Sequence, residues 1–508
     1  MKPAARCLVV LTTLFFAAIQ TVQAERLTPE QRAERRVQRG DNPNRSGRTP
    51  DVLALPADVA ELDRLSVILG RPTDTTVTAS IVSSEPREAF IEYGTEQGNY
   101  PRKTSTVNLP ANQSAHVLLQ GLLPGKLAYY RLRHRKLGET GFANSVEQAV
   151  QMQRSSGSRF VFEIQGDSHP ERRNQFDPTM YAQTLRAVAA DRPDFYMLIG
   201  DDFSVDTLPI VNAETVTQRY RLQRPFLSLV GQSAPLFLVN GNHEQAAKVN
   251  LDGTPDNVAV WAQNARNAYF PQPAPDVFYT GDATPVPHIG LLRDYYAWHW
   301  GDALFVVIDP YWHSDQPVDN VFGGGKKHRD LWDITLGDAQ YRWLKQTLES
   351  SKAKYKLVFA HHVHGTSRGG IELAGLYEWG GKSRNGADEF AKRRPGWAMP
   401  IHPLMVKNGV TIFFQGHDHI FARQELDGII YQTLPEPADP NYALYNDQAF
   451  RSGDILPNSG RIRITVEPAQ VRLEYVRSYL PRDVTNAHPD GEIAFAYSIE
   501  SGKSLKGR

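Results

Sequence analysis

Val410-Thr411-Ile412-Phe413-Phe414-Gln415-Gly416-His417-Asp418-His419 is the stretch that decides the fold. Its first half is β-branched and aromatic, the make-up of a buried strand, and the strand stops at a glycine with two histidines just beyond its end. Open α/β sheets put their chemistry at that place, outside the carboxyl ends of their strands. A spacing of two on extended backbone sends side chains to opposite faces, but a turn after Gly416 lets His417 and His419 converge.

The same pattern occurs four more times upstream. Phe160-Val161-Phe162-Glu163-Ile164-Gln165 runs into Gly166-Asp167-Ser168-His169, and Phe195-Tyr196-Met197-Leu198-Ile199 into Gly200-Asp201-Asp202. Leu236-Phe237-Leu238-Val239 runs into Asn240-Gly241-Asn242-His243-Glu244, and Leu357-Val358-Phe359-Ala360 into His361-His362-Val363-His364. Any one of these is an ordinary strand-to-helix turn. Together, five strand ends bring Asp167, His169, Asp201, Asn242, His361, His417 and His419 to one rim.

In this order the motifs D-x-H, G-D, G-N-H-[DE], a lone H and G-H-x-H resemble the signature of the calcineurin-like metallophosphoesterases. The resemblance implies an α/β fold, a sandwich of two β-sheets flanked by helices. It also implies two divalent or trivalent metal ions, with Asp167, His169 and His419 on one, Asn242, His361 and His417 on the other, and Asp201 between them. A bridging carboxylate offsets the repulsion of two cations held about 3.5–4 Å apart, and oxygen and imidazole donors without thiolate suit Fe, Mn or Zn.

In such a centre a metal-bound hydroxide attacks phosphorus in line, and His243 falls where the family has the histidine that touches phosphate or protonates the leaving group. Glu244 is then either an orienter of His243 or a first-turn helix glutamate. His361 rather than His362 is taken as the lone histidine because it comes first after its strand. His362 and His364 either face substrate or are polar loop residues. Asn242 and Arg368 are further candidates for substrate contact.

The N-terminus reads as a signal peptide over residues 1–24: Lys2 and Arg6, an apolar run from Leu8 to Ile19, then Val22-Gln23-Ala24. Twelve apolar residues are too few to span a bilayer, and no other run approaches 18, so the expectation is an exported, periplasmic or secreted protein with no membrane span. Cys7 is the only cysteine, so the mature chain has no disulfide. Loss of Lys2 and Arg6 from 56 basic and 56 acidic residues leaves the remainder about −2. That argues against a nucleic-acid polymer as partner and leaves a small phosphorylated substrate open.

Residues 25–60 form an Arg-rich linker in which Thr28-Pro29-Glu30-Gln31 caps a short helix to about Arg39. Residues 61–154 consist of short β-type runs separated by turns, which predicts a small β-sandwich. Gly121-Leu122-Leu123-Pro124-Gly125-Lys126, with Tyr129-Tyr130-Arg131, resembles fibronectin type III domains. Ile91-Glu92-Tyr93-Gly94 resembles the version that precedes the catalytic domain of purple acid phosphatases. Residues 155–508 form the catalytic domain.

Within the catalytic domain, Pro178 to Ala190 is a crossover helix with Met180, Leu185 and Val188 apolar. Residues 243–360 are largely elaboration, with a proline-rich loop from Pro271 to Pro287, an aromatic cluster from Tyr295 to Trp300, and a strand from Ala303 to Asp309. Asp309 and His313 are ligand types that the metal set does not need. Gly323-Gly324-Gly325-Lys326-Lys327 lacks the Ser or Thr of a phosphate loop and reads as a solvated loop. Gly365 to Pro400 is a glycine-rich rim segment. Gly428 to Leu434, Gly460 to Val466 and Val471 to Tyr479 are three strands expected to complete one sheet, followed by a frayed C-terminus.

Purple acid phosphatases have a tyrosine three residues after the bridging aspartate; here the residue is Ser204, so the tyrosinate ligand of ferric iron is missing. The expected activity is hydrolysis of phosphate esters, monoesters ahead of diesters. The rivals are a phosphodiesterase acting on nucleotides or glycerophospho-compounds and a secreted binding or adhesion protein with an inactive catalytic domain.

Overall fold

Phe160–Gln165 (β7) is the axis of the catalytic body, and the longer strands before it in the chain are Leu65–Gly70 (β1), Thr76–Ser83 (β2), Arg87–Gly94 (β3), Ser114–Gln120 (β4), Leu127–Lys136 (β5) and Gln148–Gln151 (β6). The computed structural model describes residues 53–316, 318, 330–364 and 367–501. The expected signal peptide, the helix over residues 28–39, most of the linker, the Gly323–Lys327 loop and the last seven residues lie outside the described residues.

β1, β2 and β4 form one antiparallel sheet, and β3, β5 and β6 belong to a second. Alternate residues of both point inward: Val77, Ala79 and Ile81 from one face Ile91, Tyr130 and Leu132 from the other in a shared apolar core. Residues 65–151 are thus a two-sheet sandwich. It is bolted to the catalytic body by Arg224, which donates to Ser66 Oγ at 3.0 Å and to the Ser80 carbonyl at 2.6 Å, and by Tyr130, whose hydroxyl donates to the Gln232 carbonyl at 2.5 Å.

In the catalytic body β7 lies parallel to Phe195–Leu198 (β8), and β8 to Leu236–Leu238 (β9). The helix Pro178–Asp191 (α1) makes the crossover between β7 and β8; Asp177 caps it by accepting from the Thr179 and Met180 N–H groups, with Pro178 in its first turn. A second sheet is built around Tyr296–Trp300 (β10), Ala303–Val307 (β11), Tyr355–Phe359 (β12) and Ile412–Gln415 (β13), with Phe421–Leu426 (β14) and Ile429–Thr433 (β15) beyond them. β11, β12, β13 and β15 run parallel.

The two sheets pack face to face. Phe160, Phe162, Phe195 and Phe237 of one meet Trp298, Phe305, Phe359 and Phe414 of the other, with Trp298 stacked on Phe237 at 4.2 Å. Their outer faces are covered in turn, one by α1 through Leu185 and Val188, the other by the helix Gly337–Ser350 through Leu344 and Leu348. This is the two-sheet sandwich flanked by helices that the family resemblance implies. Strands buried on both faces have no polar side to alternate with, so they read as continuous apolar runs.

Two expectations are corrected. Tyr296–Trp300 is not elaboration: it is a core strand whose indoles fill the space between the sheets. The last strands do not share one sheet either. β15 lies beside β13, whereas Gly460–Val466 (β16) and Gln470–Arg477 (β17) pair antiparallel on the far side of β7. The chain between β15 and β16 crosses from one sheet to the other over the rim, bringing Glu436 and Asp439 with it. Strand character is local, but sheet membership is decided by that crossing.

Candidate metal centre

All five loops meet at the carboxyl ends of β7, β8, β9, β12 and β13, and tight backbone approach draws them together. A Cβ on Gly416 would lie 2.3 Å from Asp167 Oδ1, and one on Gly200 would lie 2.6 Å from the Gly241 nitrogen. Gly416 is therefore required for contact rather than for turning. The turning is done by the ligand-type residues themselves, since His169, Asp201, His417 and His419 all have positive φ, 44°, 58°, 67° and 58°.

Asp167 accepts the His417 N–H at 2.9 Å, and its Oδ2 lies 3.2 Å from His419 Nε2 and 3.9 Å from His169 Nε2. Ligand atoms of Asp167, His169 and His419 fall within 4.8 Å of one another. Asp201 Oδ2 lies 2.9 Å from His361 Nε2, 3.8 Å from His169 Nε2 and 3.7 Å from His243 Nε2, so this carboxylate stands between the two sides. On the second side His361, His362 and His417 form another close triple, with the His362 ring stacked on His417 at 4.4 Å.

The residues fit a metal centre by a direct criterion. His169 Nε2 and both amide atoms of Asn242 are shut from solvent yet make no hydrogen bond. Buried polar atoms of this kind are costly unless something absent from the protein satisfies them. Burial also depresses the pKa of His169, to about 3, and pushes those of His362 and His417 well below the ordinary imidazole range, which leaves these rings in the neutral, ligating form. Burial alone would raise Asp167 and Asp201; the charge of His361 beside them holds both below the usual carboxylate range.

Four of the rings are oriented from behind. His169 Nδ1 lies 3.0 Å from both Glu171 Oε1 and Ser204 Oγ, His419 Nδ1 lies 2.6 Å from Glu436 Oε1, and His361 Nδ1 lies 2.9 Å from the Ile199 carbonyl. Tyr311 Oη meets His362 Nδ1. Ser204, where a tyrosine ligand stands in purple acid phosphatases, here supports a histidine instead.

His243 shares the rim. Its Nδ1 lies 2.8 Å from Asp206 Oδ1, and Arg172 Nη2 lies 3.3 Å from its Nε2. Burial would lower its pKa, but the charges of Asp206 and Asp201 outweigh that and raise it to about 9. Glu244 does not orient this ring, nor does it open a helix. Its carboxylate accepts the N–H groups of Gly241 at 2.7 Å, Asp201 at 3.2 Å, Asp202 at 2.9 Å and Phe203 at 3.0 Å, stapling two motif loops together. Burial and the charge of Asp201 push its pKa up to about 7.

Of the proposed substrate contacts, Arg368 donates to the His417 carbonyl and lies 3.4 Å from Asp418 Oδ1. His364 is not brought to the group: its Nε2 bonds the Leu331 carbonyl at 2.8 Å and its ring stacks on Tyr377. Sequence reasoning missed Glu171, Asp206, Glu436 and Arg172. Only Glu171, two residues past His169, stood close enough to a motif to be suspected.

The sequence model of the Calcineurin-like phosphoesterase family matches residues 164–421. No curated protein matches the chain. Among solved structures, one described as "Structure of PhoD" aligns over 90% of this chain and 95% of its own, with 14% identity and a TM-score of 0.58, a likeness of fold alone. GAP50 of Plasmodium (13% identity, 68% of this chain and 90% of that one, TM-score 0.35) and a putative 5'-nucleotidase from Staphylococcus aureus (15%, 63% and 54%, 0.33) are too distant to carry an argument.

Proposed function

The chain belongs to the calcineurin-like phosphoesterase family of metal-dependent phosphoesterases, and we propose that it is an exported binuclear enzyme that hydrolyses phosphate monoesters. The observation that supports this most is the position of Asp201, whose carboxylate lies between His169 and His361 while its other oxygen accepts the His243 N–H at 2.9 Å. One metal would be held by Asp167, His169 and His419, the other by Asn242, His361 and His417, with Asp201 shared; His362 is a further candidate on the second side. Ions bound there supply Lewis acidity to the phosphoryl oxygens and to the attacking water.

The chain's own residues do the rest. His243 enters protonated, kept so by Asp206 at Nδ1, and presents Nε2 to the leaving oxygen as general acid. Arg172 brings a second positive group to within 3.3 Å of that nitrogen. Two cationic groups converging on one point are answered by a dianion, which supports the monoester over the singly charged diester. Asn242 contributes an amide to the same phosphoryl group.

The Lys2–Ala24 segment supports export, and the sandwich is read as a fibronectin type III-like domain over residues 61–154 with a packing role, joined by Arg224 to a catalytic domain over residues 155–508. The deciding experiment is elemental analysis of the purified chain, with para-nitrophenyl phosphate and bis-para-nitrophenyl phosphate assayed beside Asp201→Ala. About two metals per chain and monoesterase activity lost in the variant are expected. Activity on the diester alone would put a phosphodiesterase in its place, and bound metal without turnover would favour a binding protein.

A further inference from the structure

Away from the Asp167–His361 centre, the structure gathers a second group of ligand-type side chains. Asp282 follows the edge strand Thr280–Gly281, Asp294 precedes β10, and His313 lies on the loop after β11. Their ligand atoms lie within 4.8 Å of one another. Asp294 Oδ2 meets His313 Nε2 at 3.0 Å, and Asp282 Oδ1 accepts the Thr284 N–H at 2.8 Å.

Two observations distinguish this group from an ordinary histidine–aspartate pair. Asp294 is only 1% exposed, and its Oδ1 is shut from solvent with no hydrogen-bond partner. An ionised oxygen in that position is costly unless a cation answers it. The charge is also unbalanced. Two carboxylates, Asp282 and Asp294, meet one imidazole, and among the described residues the one ion pair either of them makes within 4 Å is that of Asp294 with His313.

We propose that Asp282, Asp294 and His313 bind a further divalent cation, of the Mn²⁺ or Zn²⁺ type, separate from the catalytic pair. Two carboxylates and an imidazole are the donor set such borderline ions take, and a small inward movement of three donors already within 4.8 Å brings them to bonding distance. The loop that carries His313 links this site to the centre. Asp309 accepts Asn240 Nδ2 at 2.8 Å, two residues before Asn242, and Tyr311 holds His362. The cation is a brace placed behind the second-metal side.

The test is metal content of the full chain, loaded with Mn²⁺ or Zn²⁺ and freed of excess by gel filtration, beside the double variant Asp294→Asn, His313→Gln. One ion per chain fewer in the variant is expected, with the remaining ions still lost on Asp201→Ala. Equal metal content in the natural chain and the double variant overturns the proposal. Should the double variant not fold, crystals of the natural chain soaked in Mn²⁺ decide. An anomalous peak between Asp294 and His313 supports the site, and its absence overturns it whatever is found at Asp167 and His361.

Discussion

Replacing Glu244 by alanine removes one carboxylate and strands four backbone donors. The Gly241, Asp201, Asp202 and Phe203 N–H groups have Glu244 as their acceptor, at 2.7 to 3.2 Å, in a part of the rim where Glu244 is only 2% exposed. A buried donor left without a partner costs about 1–3 kcal/mol, so four set a nominal loss of about 4–12 kcal/mol. Water entering the vacated space recovers part of this, and a net loss of at least about 3 kcal/mol is expected. Because these donors lie on the loops of Asp201 and Asn242, metal affinity should fall about 10–100-fold as well. Urea unfolding of the metal-free chain and Mn²⁺ titration of the folded chain measure the two effects separately. Glu244→Gln, which offers one oxygen and turns an amide N–H₂ towards the remaining donors, should fall between the natural chain and Glu244→Ala. If Glu244→Ala unfolds within about 1 kcal/mol of the natural chain and binds Mn²⁺ as tightly, the loops are held by something else and the argument fails.

Three further outcomes are expected. Asp206→Asn removes the nearest charge that raises His243, so its pKa should fall, by roughly 1–2 on the pH scale. A general acid works below its pKa, so the basic limb of the kcat/KM profile should move to lower pH by the same amount; an unmoved limb means that His243 is not the acid. Arg224→Met cuts the bonds to Ser66 and Ser80 that tie the sandwich to the catalytic body and should cost about 2–4 kcal/mol in urea unfolding. A loss below about 1 kcal/mol would mean that the two Arg224 bonds do little to hold the sandwich on the catalytic body. His364 is buried and its pKa is lowered to about 4. The unfolded chain takes up its proton near pH 6.5 and the folded chain only near 4, so this residue supports stability above 6.5 and that support drains away as pH falls to 4, by about 3 kcal/mol. His364→Gln should lose correspondingly less stability between pH 7 and pH 4, and equal acid sensitivity in the two chains would refute the assignment.

The sequence made the motif residues easy to find because strand and chemistry are contiguous there. Val410 to Gln415 is apolar throughout since β13 is covered on both faces, and Gly416 marks the point where backbone must pass against Asp167. Helix α1 was visible in its apolar residues, Met180, Leu185 and Val188. What stayed hidden depends on distance across the fold. Glu436 reaches His419 only because the chain after β15 crosses to the other sheet, and Asp206 reaches His243 only because a short turn folds back beneath it. Nothing about an isolated acidic residue in a loop distinguishes it from a solvated one. Tyr296–Trp300 was misjudged for a related reason: three aromatic residues in five suggest a cluster, and only the pairing with β11 makes them a strand.

The backbone of the centre bears on how metal and fold depend on each other. Four of its ligand-type residues, His169, Asp201, His417 and His419, sit in the left-handed region, where a side chain costs about 1–2 kcal/mol per residue. Asp167 and Asp201 are buried carboxylates, the His169 ring beside them is kept neutral by burial, and Asn242 contributes an amide with no partner. Local turns, desolvated charge and an idle amide all oppose folding when taken one at a time, and the staple of Glu244 and the backing of Glu171 and Glu436 offset only part of that. A cation that binds the folded arrangement and not the unfolded chain adds its binding free energy to stability, by about 4 kcal/mol at a thousandfold excess over its dissociation constant. The strain at the rim is therefore greatest in the empty protein. Chelation should accordingly lower the unfolding temperature as well as stop turnover, and the loops that carry His417 and His419 should be the first to lose hydrogen-exchange protection.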